Sequence, residues 1–166
     1  MDAAQKKTAL RMIPYGLYAL TAENGGEVSA ATVNWVTQAS FEPPLVVVGV
    51  KSDSSSLALI KKSRAFALNV MGKGQQGLAF AFFKPAVHEG DLVSGQKFRR
   101  GSTGSPILES TPAFVECKVV EIMERGDHAV VVGEVVDAGV AAQPEGRPDD
   151  ATLWLKDLGE KTFYGG

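Results

Sequence analysis

The sequence predicts a mainly β protein built as a closed or partly closed antiparallel barrel. Clusters of Gly, Pro and Ser divide the chain into at least six short apolar segments, most of which have the length of a strand. Strands and helices do not alternate along the chain as they do in doubly wound parallel sheets. Closing the sheet on itself is the commonest way to hide so many strand edges, which favours a barrel.

A hairpin opens the predicted sheet. The apolar and aromatic segment Ile13 to Thr21 is followed by the turn Glu23 to Glu27, which contains Asn-Gly and Gly-Gly pairs. These pairs supply the positive φ angles that tight hairpin turns need. We therefore expect Val28 to Trp35 to return as the second strand.

The middle of the chain predicts strand, helix, strand and helix in turn. Leu45 to Val50 is a nearly unbroken Val run, which is typical of a strand buried on both faces. Ser54 to Lys62 predicts a short helix, because Ser can cap its first turn and two Lys residues end it. Ala65 to Met71 returns to strand character, and Gly74 to Phe83 predicts another short helix.

The last part of the chain contains the strongest hairpin. Lys84 to Pro106 is rich in Gly, Ser and charge, so we expect a long surface excursion. Ala113 to Glu124 and Ala129 to Ala138 then predict two paired strands, with Arg125 to His128 as a turn or strand opening. Leu153 to Tyr164 is a short tail with aromatic anchors, Trp154 among them.

Composition narrows the class of protein. A chain of 166 residues with 45% hydrophobic and 22% charged residues predicts one globular domain over 1–166. A net charge of −2 argues against nucleic acid as a partner. Cys117 is the single cysteine, which predicts a reducing, cytoplasmic location. No segment has the length of a signal peptide core or of a membrane span, so we expect no membrane association.

Familiar catalytic patterns are absent. Neither His88 nor His128 is accompanied by the G-x-S-x-G elbow of a serine hydrolase. His88 to Asp91 is a weak cluster on a presumed loop, so we expect no metal site. No phosphate-binding loop of the G-x-x-x-x-G-K-[ST] type and no G-x-G-x-x-G after a strand are present.

Hydroxyl and amide side chains are instead concentrated between Ser29 and Ser56. Lys51 to Ser56 leads into the first predicted helix, so free N–H groups, Ser hydroxyls and the Lys51 ammonium can converge on a phosphate. The same segment can equally be a Ser-rich helix cap. Ala31 to Ser40 can line a planar polar ligand or form the solvent face of a strand.

Three motifs carry a resemblance to a known family. They are SAATVNWVTQASFEPPLVVVGVKSDSS from Ser29 to Ser55, FALNVM from Phe66 to Met71, and GDHAVVVGEV from Gly126 to Val135. Together they resemble the flavin reductase-like family, whose fold is the FMN-binding split barrel. The final residues Phe163 to Gly166 resemble the end of the flavin reductase module of diflavin flavoproteins.

The resemblance implies a six-stranded antiparallel Greek-key split barrel that forms a homodimer and binds a flavin, FMN or alternatively FAD. It assigns ring contacts to Thr32, Val33, Asn34 and Trp35. It assigns contacts along the ribityl chain and phosphate to Gln38, Ala39 and Ser40. It assigns the phosphate loop to Lys51, Ser52, Ser54, Ser55 and Ser56, although many relatives read K-D-R-[AS]-[ST] where this chain reads Lys51-Ser52-Asp53-Ser54-Ser55.

The implied activity is hydride transfer from NAD(P)H to the flavin, which then passes electrons to a further acceptor. His128 matches the histidine of the G-D-H motif and is expected to position the nicotinamide, because the cofactors carry the redox chemistry. Trp35, Phe98, Phe163 and Tyr164 are candidate apolar walls. The alternatives are an FMN-binding electron carrier that serves a redox protein partner without turnover, and a split barrel that binds haem or only a partner subunit.

Overall fold

The computed structural model describes residues 1–166 and contains eleven strands, three α-helices and two short 3-10 helices. The helices are α1 (Ala3–Arg11), α2 (Ser55–Ser63) and α3 (Gln76–Ala81), with 3-10 turns at Pro148–Ala151 and Leu155–Leu158. The strands are β1 (Tyr18–Asn24), β2 (Glu27–Val33), β3 (Val36–Ser40), β4 (Leu45–Lys51), β5 (Ala65–Val70), β6 (His88–Glu89), β7 (Leu92–Val93), β8 (Gln96–Arg100), β9 (Pro106–Leu108), β10 (Ala113–Glu124) and β11 (His128–Val140).

Seven strands form one antiparallel sheet in the order β2-β1-β5-β10-β11-β4-β3. Its two edge strands, β2 and β3, are joined by only Asn34 and Trp35. Because two residues span only a short distance, the sheet must curl and bring these two edge strands close together, although they do not pair with each other. The Gly49 N–H donates to the Trp35 carbonyl at 2.8 Å and fixes this join to β4. The split-barrel fold is confirmed, with seven strands in the sheet where six were expected.

The two predicted hairpins are present. Gly25 and Gly26 have φ angles of +60° and +86° at the β1–β2 turn, which is why glycine is needed there. β10 and β11 are the longest strands, and β4 pairs with the outer side of β11. The prediction that Leu45 to Val50 is buried on both faces is wrong: Val48 and Val50 are buried, whereas Val46 and Val47 are partly exposed.

Helix α2 packs its apolar face into the rolled sheet. Leu57, Leu59 and Ile60 join a core that includes Leu20 and Phe66. The predicted Ser cap is confirmed, because the Ser54 hydroxyl accepts from the Leu57 N–H at 3.1 Å. Burial of these side chains explains why nine residues remain helical, a length that is marginal in isolation. The N-terminus of α2 is thereby placed at the end of β4.

The segment from Lys84 to Pro106 is not a structureless excursion. It contains β6, β7 and β8 and leads into β9, and the four strands form a second small sheet. This sheet buries Val93 and Phe98 in a second core with Leu17, Met71 and Leu153. The apolar residues of this segment are few and separated by charged ones, so their pattern did not indicate strands. These short strands are stable only because they pack on the main sheet.

A buried carboxylate joins this insertion to β10. The Glu116 side chain is fully buried and accepts from the backbone N–H groups of Ser102 and Thr103, both at 2.9 Å. The hydroxyls of Ser102 and Thr103 donate to it at 3.1 and 2.6 Å. Burial alone would raise the pKa of Glu116, but these four hydrogen bonds outweigh it and the pKa lies below its usual range.

The chain ends lie together on one side of the barrel. Residues 13–17 were expected in the first strand but precede it, because Pro14 and Gly16 interrupt the ladder and β1 begins at Tyr18. Helix α1 has no apolar face, buries none of its residues and was not predicted. No helix in the structure has the length and apolar composition needed to cross a bilayer.

Candidate functional site

A pocket of about 420 Å³ opens where β2, β4 and the C-terminal tail meet. Its volume lies within the ~300–1,000 Å³ that small-molecule sites commonly have. Its wall is formed by residues from the barrel strands, the start of α2, the end of α3 and the tail. These residues are Leu17, Leu20, Ala31, Thr32, Val33, Asn34, Gly49, Val50, Lys51, Ser54, Ser56, Phe82, Phe83, His128, Leu155, Thr162, Phe163 and Tyr164.

The break between β2 and β3 leaves polar groups without partners. The backbone N–H groups of Asn34 and Trp35 donate to no acceptor within the chain, because the sheet ladder ends at Val33 and resumes at Val36. The indole Nε1 of Trp35 is buried and also has no partner. A buried donor without an acceptor, as this indole N–H is, is rare in folded proteins and indicates a ligand or a further partner.

The N-terminus of α2 forms the polar end of the pocket. The Ser54 hydroxyl donates to the Lys51 carbonyl at 2.7 Å and accepts from the Leu57 N–H, so it is both a donor and an acceptor in the helix cap. The N–H groups of Ser55 and Ser56 have no acceptor in the chain. Lys51 lies beside them and pairs with Asp53 at 3.1 Å, with its side chain largely exposed. Free N–H groups and an exposed ammonium suit an anion.

Ser52 connects this end of the pocket to the β10–β11 turn. Its N–H donates to the Asp127 carbonyl at 2.9 Å, and its hydroxyl donates to the Gly126 carbonyl at 3.2 Å. Ser52 therefore holds two loops together, and its hydroxyl is already occupied. His128, the first residue of β11, directly follows Gly126 and Asp127.

His128 is held on both sides of its ring. Its Nδ1 lies 2.9 Å from the Asp127 carboxylate, and its Nε2 lies 2.7 Å from the Tyr164 hydroxyl. The hydrogen bond with His128 lowers the pKa of Asp127. The ring also packs on Trp35, with 4.6 Å between centroids, and the Tyr164 ring packs on Trp35 at 5.4 Å. The three aromatic rings form one cluster at the mouth of the pocket.

The structure brings together residues that are far apart in the sequence. Seven of the residues assigned from the resemblance line the pocket: Thr32, Val33, Asn34, Lys51, Ser54, Ser56 and His128. Trp35 lies against this wall, and Ser52 and Ser55 lie beside it. Gln38, Ala39 and Ser40 are on β3, outside the wall, and Gln38 and Ala39 are exposed.

The apolar residues that line the pocket differ from the predicted ones in two ways. Phe98 is buried in the second core and does not line the pocket, although Leu17 and Phe82 of the same core do. Phe82 and Phe83, just after α3, and Leu155 line the pocket and were not anticipated. The sequence signal that could have indicated Phe82 and Phe83 was their position as an aromatic pair at the end of a predicted helix. No cluster of three or more metal-ligating side chains is found in the structure.

Comparison with known proteins identifies the family. The family described as "Flavin reductase like domain" matches residues 10–157. The chain belongs to the flavin reductase-like family. A relative named "Flavin reductase" from Pseudomonas putida is 32% identical over 157 residues, which cover 94% of this chain and 88% of the relative.

Longer family relatives contain the same module. "Diflavin flavoprotein A 1" from Synechocystis sp. is 36% identical over 134 residues, which cover 80% of this chain and 23% of the relative. The chain thus spans about a quarter of the length of the diflavin flavoproteins that it matches. Among solved structures, the "NADH:FAD oxidoreductase SgcE6" of Streptomyces globisporus C-1027 has a TM-score of 0.72 at 25% identity, covering 92% of this chain and 87% of that one.

The three motifs have different places in this flavin reductase-like domain. The segment Ser29 to Ser55 runs from β2 to the start of α2 and supplies most of the polar wall. The segment Gly126 to Val135 contributes His128. The segment Phe66 to Met71 contains most of β5, a strand inside the sheet whose Phe66 and Leu68 are core residues. Two motifs therefore form the pocket and the third supports it.

Proposed function

We propose that this flavin reductase-like protein binds a flavin, FMN in the first place, in the pocket and uses NAD(P)H to reduce it. The observation that carries the proposal is a pocket with apolar walls, unpaired amide N–H groups on one side and an anion-binding helix terminus at one end. A flavin mononucleotide has the same three parts, namely a planar ring with a polar edge, a flexible chain and a phosphate.

The apolar wall fits a ring system. Leu20, Val33 and Val50 come from three strands of the barrel, and Phe82 and Leu155 from segments that cover it. Such a surface binds a planar aromatic body by removing apolar area from water. The free N–H groups of Asn34 and Trp35 would meet the polar edge of the ring, which carries carbonyl oxygens.

The α2 end fits a phosphate. The N–H groups of Ser55 and Ser56 point toward no protein acceptor, and Lys51 can leave the exposed Asp53 carboxylate for a more highly charged partner. Ser54 supports the site as the helix cap, and Ser52 supports it by holding the loop. The Arg that many relatives carry in this loop is absent, so Lys51 is the only cationic side chain in the pocket wall.

A bound flavin supplies the acceptor for the hydride that a nicotinamide donates. The residues of this chain bind and orient the two nucleotides and exclude water from between them. His128 lies at the pocket mouth with its ring fixed by Asp127 and Tyr164, so we assign it the positioning of the nicotinamide. On the family resemblance we also propose a homodimer and a further redox protein as electron acceptor.

The first experiment is an absorbance spectrum from about 300 to 600 nm of the purified protein with added FMN or FAD, repeated anaerobically with NADH or NADPH. We expect a flavin spectrum that bleaches with a nicotinamide nucleotide, and steady NADH or NADPH oxidation when free FMN is added in air. NADH or NADPH oxidation that stops after one equivalent although free FMN is present would instead establish the electron carrier. A protein that takes up neither flavin would contradict the proposal.

A second experiment tests the placement of the phosphate. Lys51→Gln should weaken FMN binding about fivefold, the effect of about 1 kcal/mol from one exposed charge contact. Binding of riboflavin, which has no phosphate, should not change. Lys61→Gln is the matched control, because Lys61 lies at the other end of α2 and pairs with Glu124. Equal weakening of both flavins by Lys51→Gln would show that the phosphate does not bind there.

A further inference from the structure

The His128 ring has no nitrogen free for a ligand. The Asp127 carboxylate can only accept, so Nδ1 carries the proton in that hydrogen bond. In the neutral ring, Nε2 is then an acceptor, and the Tyr164 hydroxyl donates to it at 2.7 Å. Burial raises the pKa of Tyr164, so its hydroxyl keeps its proton at neutral pH. A ligand that uses Nε2 must therefore displace the tyrosine hydroxyl.

The segment that carries Tyr164 is held by few interactions. Its last backbone hydrogen bond runs from the Thr162 N–H to the Gly159 carbonyl at 3.0 Å. Beyond that point, the Asn34 side chain donates to the Tyr164 carbonyl at 3.1 Å. Arg11 of α1 donates to the Gly165 carbonyl at 3.2 Å and stacks on Phe163 at 4.3 Å. We refer to residues 162–166 as the tail segment.

The anchor of the tail segment is itself weakly attached. Helix α1 buries none of its residues, and Arg11 is exposed. Tyr164 and Phe163 are each about half exposed, at 48% and 52%. Segments with few buried contacts and exposed hydrogen bonds open at low free energy. The tail segment can thus leave the pocket mouth without disturbing the barrel.

We propose that Tyr164 sets the affinity of the pocket for the nicotinamide nucleotide by acting as an internal competitor for His128 Nε2. This inference rests on the proposed function. The ligand group that replaces the hydroxyl must donate a hydrogen bond to Nε2, and the carboxamide NH₂ of nicotinamide does so. When it binds, Tyr164 moves away with the tail segment, and the pocket mouth opens.

The test compares Tyr164→Phe with the wild-type protein in steady-state oxidation of NADH with FMN. Loss of one competing hydrogen bond should lower KM for NADH about three- to tenfold, with the FMN affinity unchanged. Tyr15→Phe is the matched control, because Tyr15 lies beside Gly165 and its hydroxyl is outside the pocket wall. It should leave KM unchanged. An unchanged or higher KM in Tyr164→Phe would overturn the inference.

Competitive inhibitors separate the hydrogen bond from the mere size of the tyrosine. The inhibition constant of NAD⁺ should fall in Tyr164→Phe by the same factor as KM. Nicotinic acid adenine dinucleotide carries a carboxylate and cannot donate, so its constant should not fall. Equal changes for both compounds would show that Tyr164 acts only as a wall and would overturn the inference.

A second variant leaves Tyr164 and His128 intact. Arg11→Gln removes the guanidinium contacts with Gly165 and Phe163, so it should also lower KM for NADH, by a smaller factor. A higher KM in this variant would contradict a competing tail segment. A wild-type protein without flavin uptake or NADH oxidation would refute the proposed function itself, whereas normal wild-type turnover with unresponsive variants would refute only the role of Tyr164.

Discussion

Replacing Glu116 by Gln tests the buried carboxylate that joins the insertion to the barrel. Gln has nearly the same shape, but it exchanges one carboxylate oxygen for an NH₂ group. Each oxygen of Glu116 now accepts one backbone N–H and one hydroxyl, from Ser102 or from Thr103. Whichever way the amide turns, one backbone N–H in this buried site will face another donor.

The magnitude follows from these contacts. An unsatisfied buried N–H costs about 1–3 kcal/mol, and the hydrogen bonds that remain lose about 1 kcal/mol when the acceptor is no longer charged. Removing the charge returns part of its desolvation cost. We expect Glu116→Gln to lower the free energy of unfolding by about 2 kcal/mol, which is about 4–8 °C in Tm for a domain of this size.

Urea unfolding followed by tryptophan fluorescence measures this change, provided that the m-value stays the same. The pH dependence supplies an independent check. Because the folded-state pKa of Glu116 is lowered, its contribution is complete above the unfolded pKa and is lost as pH falls through the folded pKa. The difference between wild type and variant should therefore shrink on acidification below about pH 4. A loss under 1 kcal/mol at pH 7, or a difference that grows in acid, would refute the reasoning.

Three further predictions concern packing and local structure. Gly133→Ala should lower the free energy of unfolding by about 1–3 kcal/mol, because the new methyl group would lie 2.6 Å from the Phe66 ring and 2.8 Å from Cys117. Urea titration measures this change, and an unchanged midpoint would contradict the packing described for Gly133. Cys117 should not react with a thiol reagent at pH 8 until the protein unfolds, since burial and then Glu116 raise its pKa to about 12; rapid labelling of the native protein would disprove this. Ser54→Ala should destabilise the protein by about 1 kcal/mol through loss of the α2 cap, whereas Ser54→Asp should retain most of the stability.

Local sequence signals predicted the parts of the fold whose structure is decided locally. The local conformation could be predicted directly at three places, namely the glycines at 25 and 26, the Ser54 cap and the Val-rich hairpin strands. The small sheet between Lys84 and Pro106 could not be predicted in this way, because its strands of two to five residues are stable only when Val93 and Phe98 pack on the barrel. The helix α1 carries no apolar pattern at all.

The pocket residues likewise divide into those that local sequence signals indicate and those that they do not. Lys51, Ser54 and Ser56 could be singled out because a helix N-terminus is visible in the sequence. His128 could be singled out only through the family motif, since an isolated histidine at a strand opening indicates no chemistry by itself. The hydrogen bond between His128 and Tyr164 joins residues 36 positions apart and depends on the path of the tail, which no local pattern describes.

The two hydrogen bonds of Ser52 make one mechanical unit of two loops that are 74 residues apart in the chain. An insertion or deletion in either loop would shift the other, and with it both the helix terminus and His128. We therefore expect the lengths of these two loops to change together during divergence. The β1–β2 turn, by contrast, contributes no residue to the pocket wall, so its length is not linked to the pocket in this way.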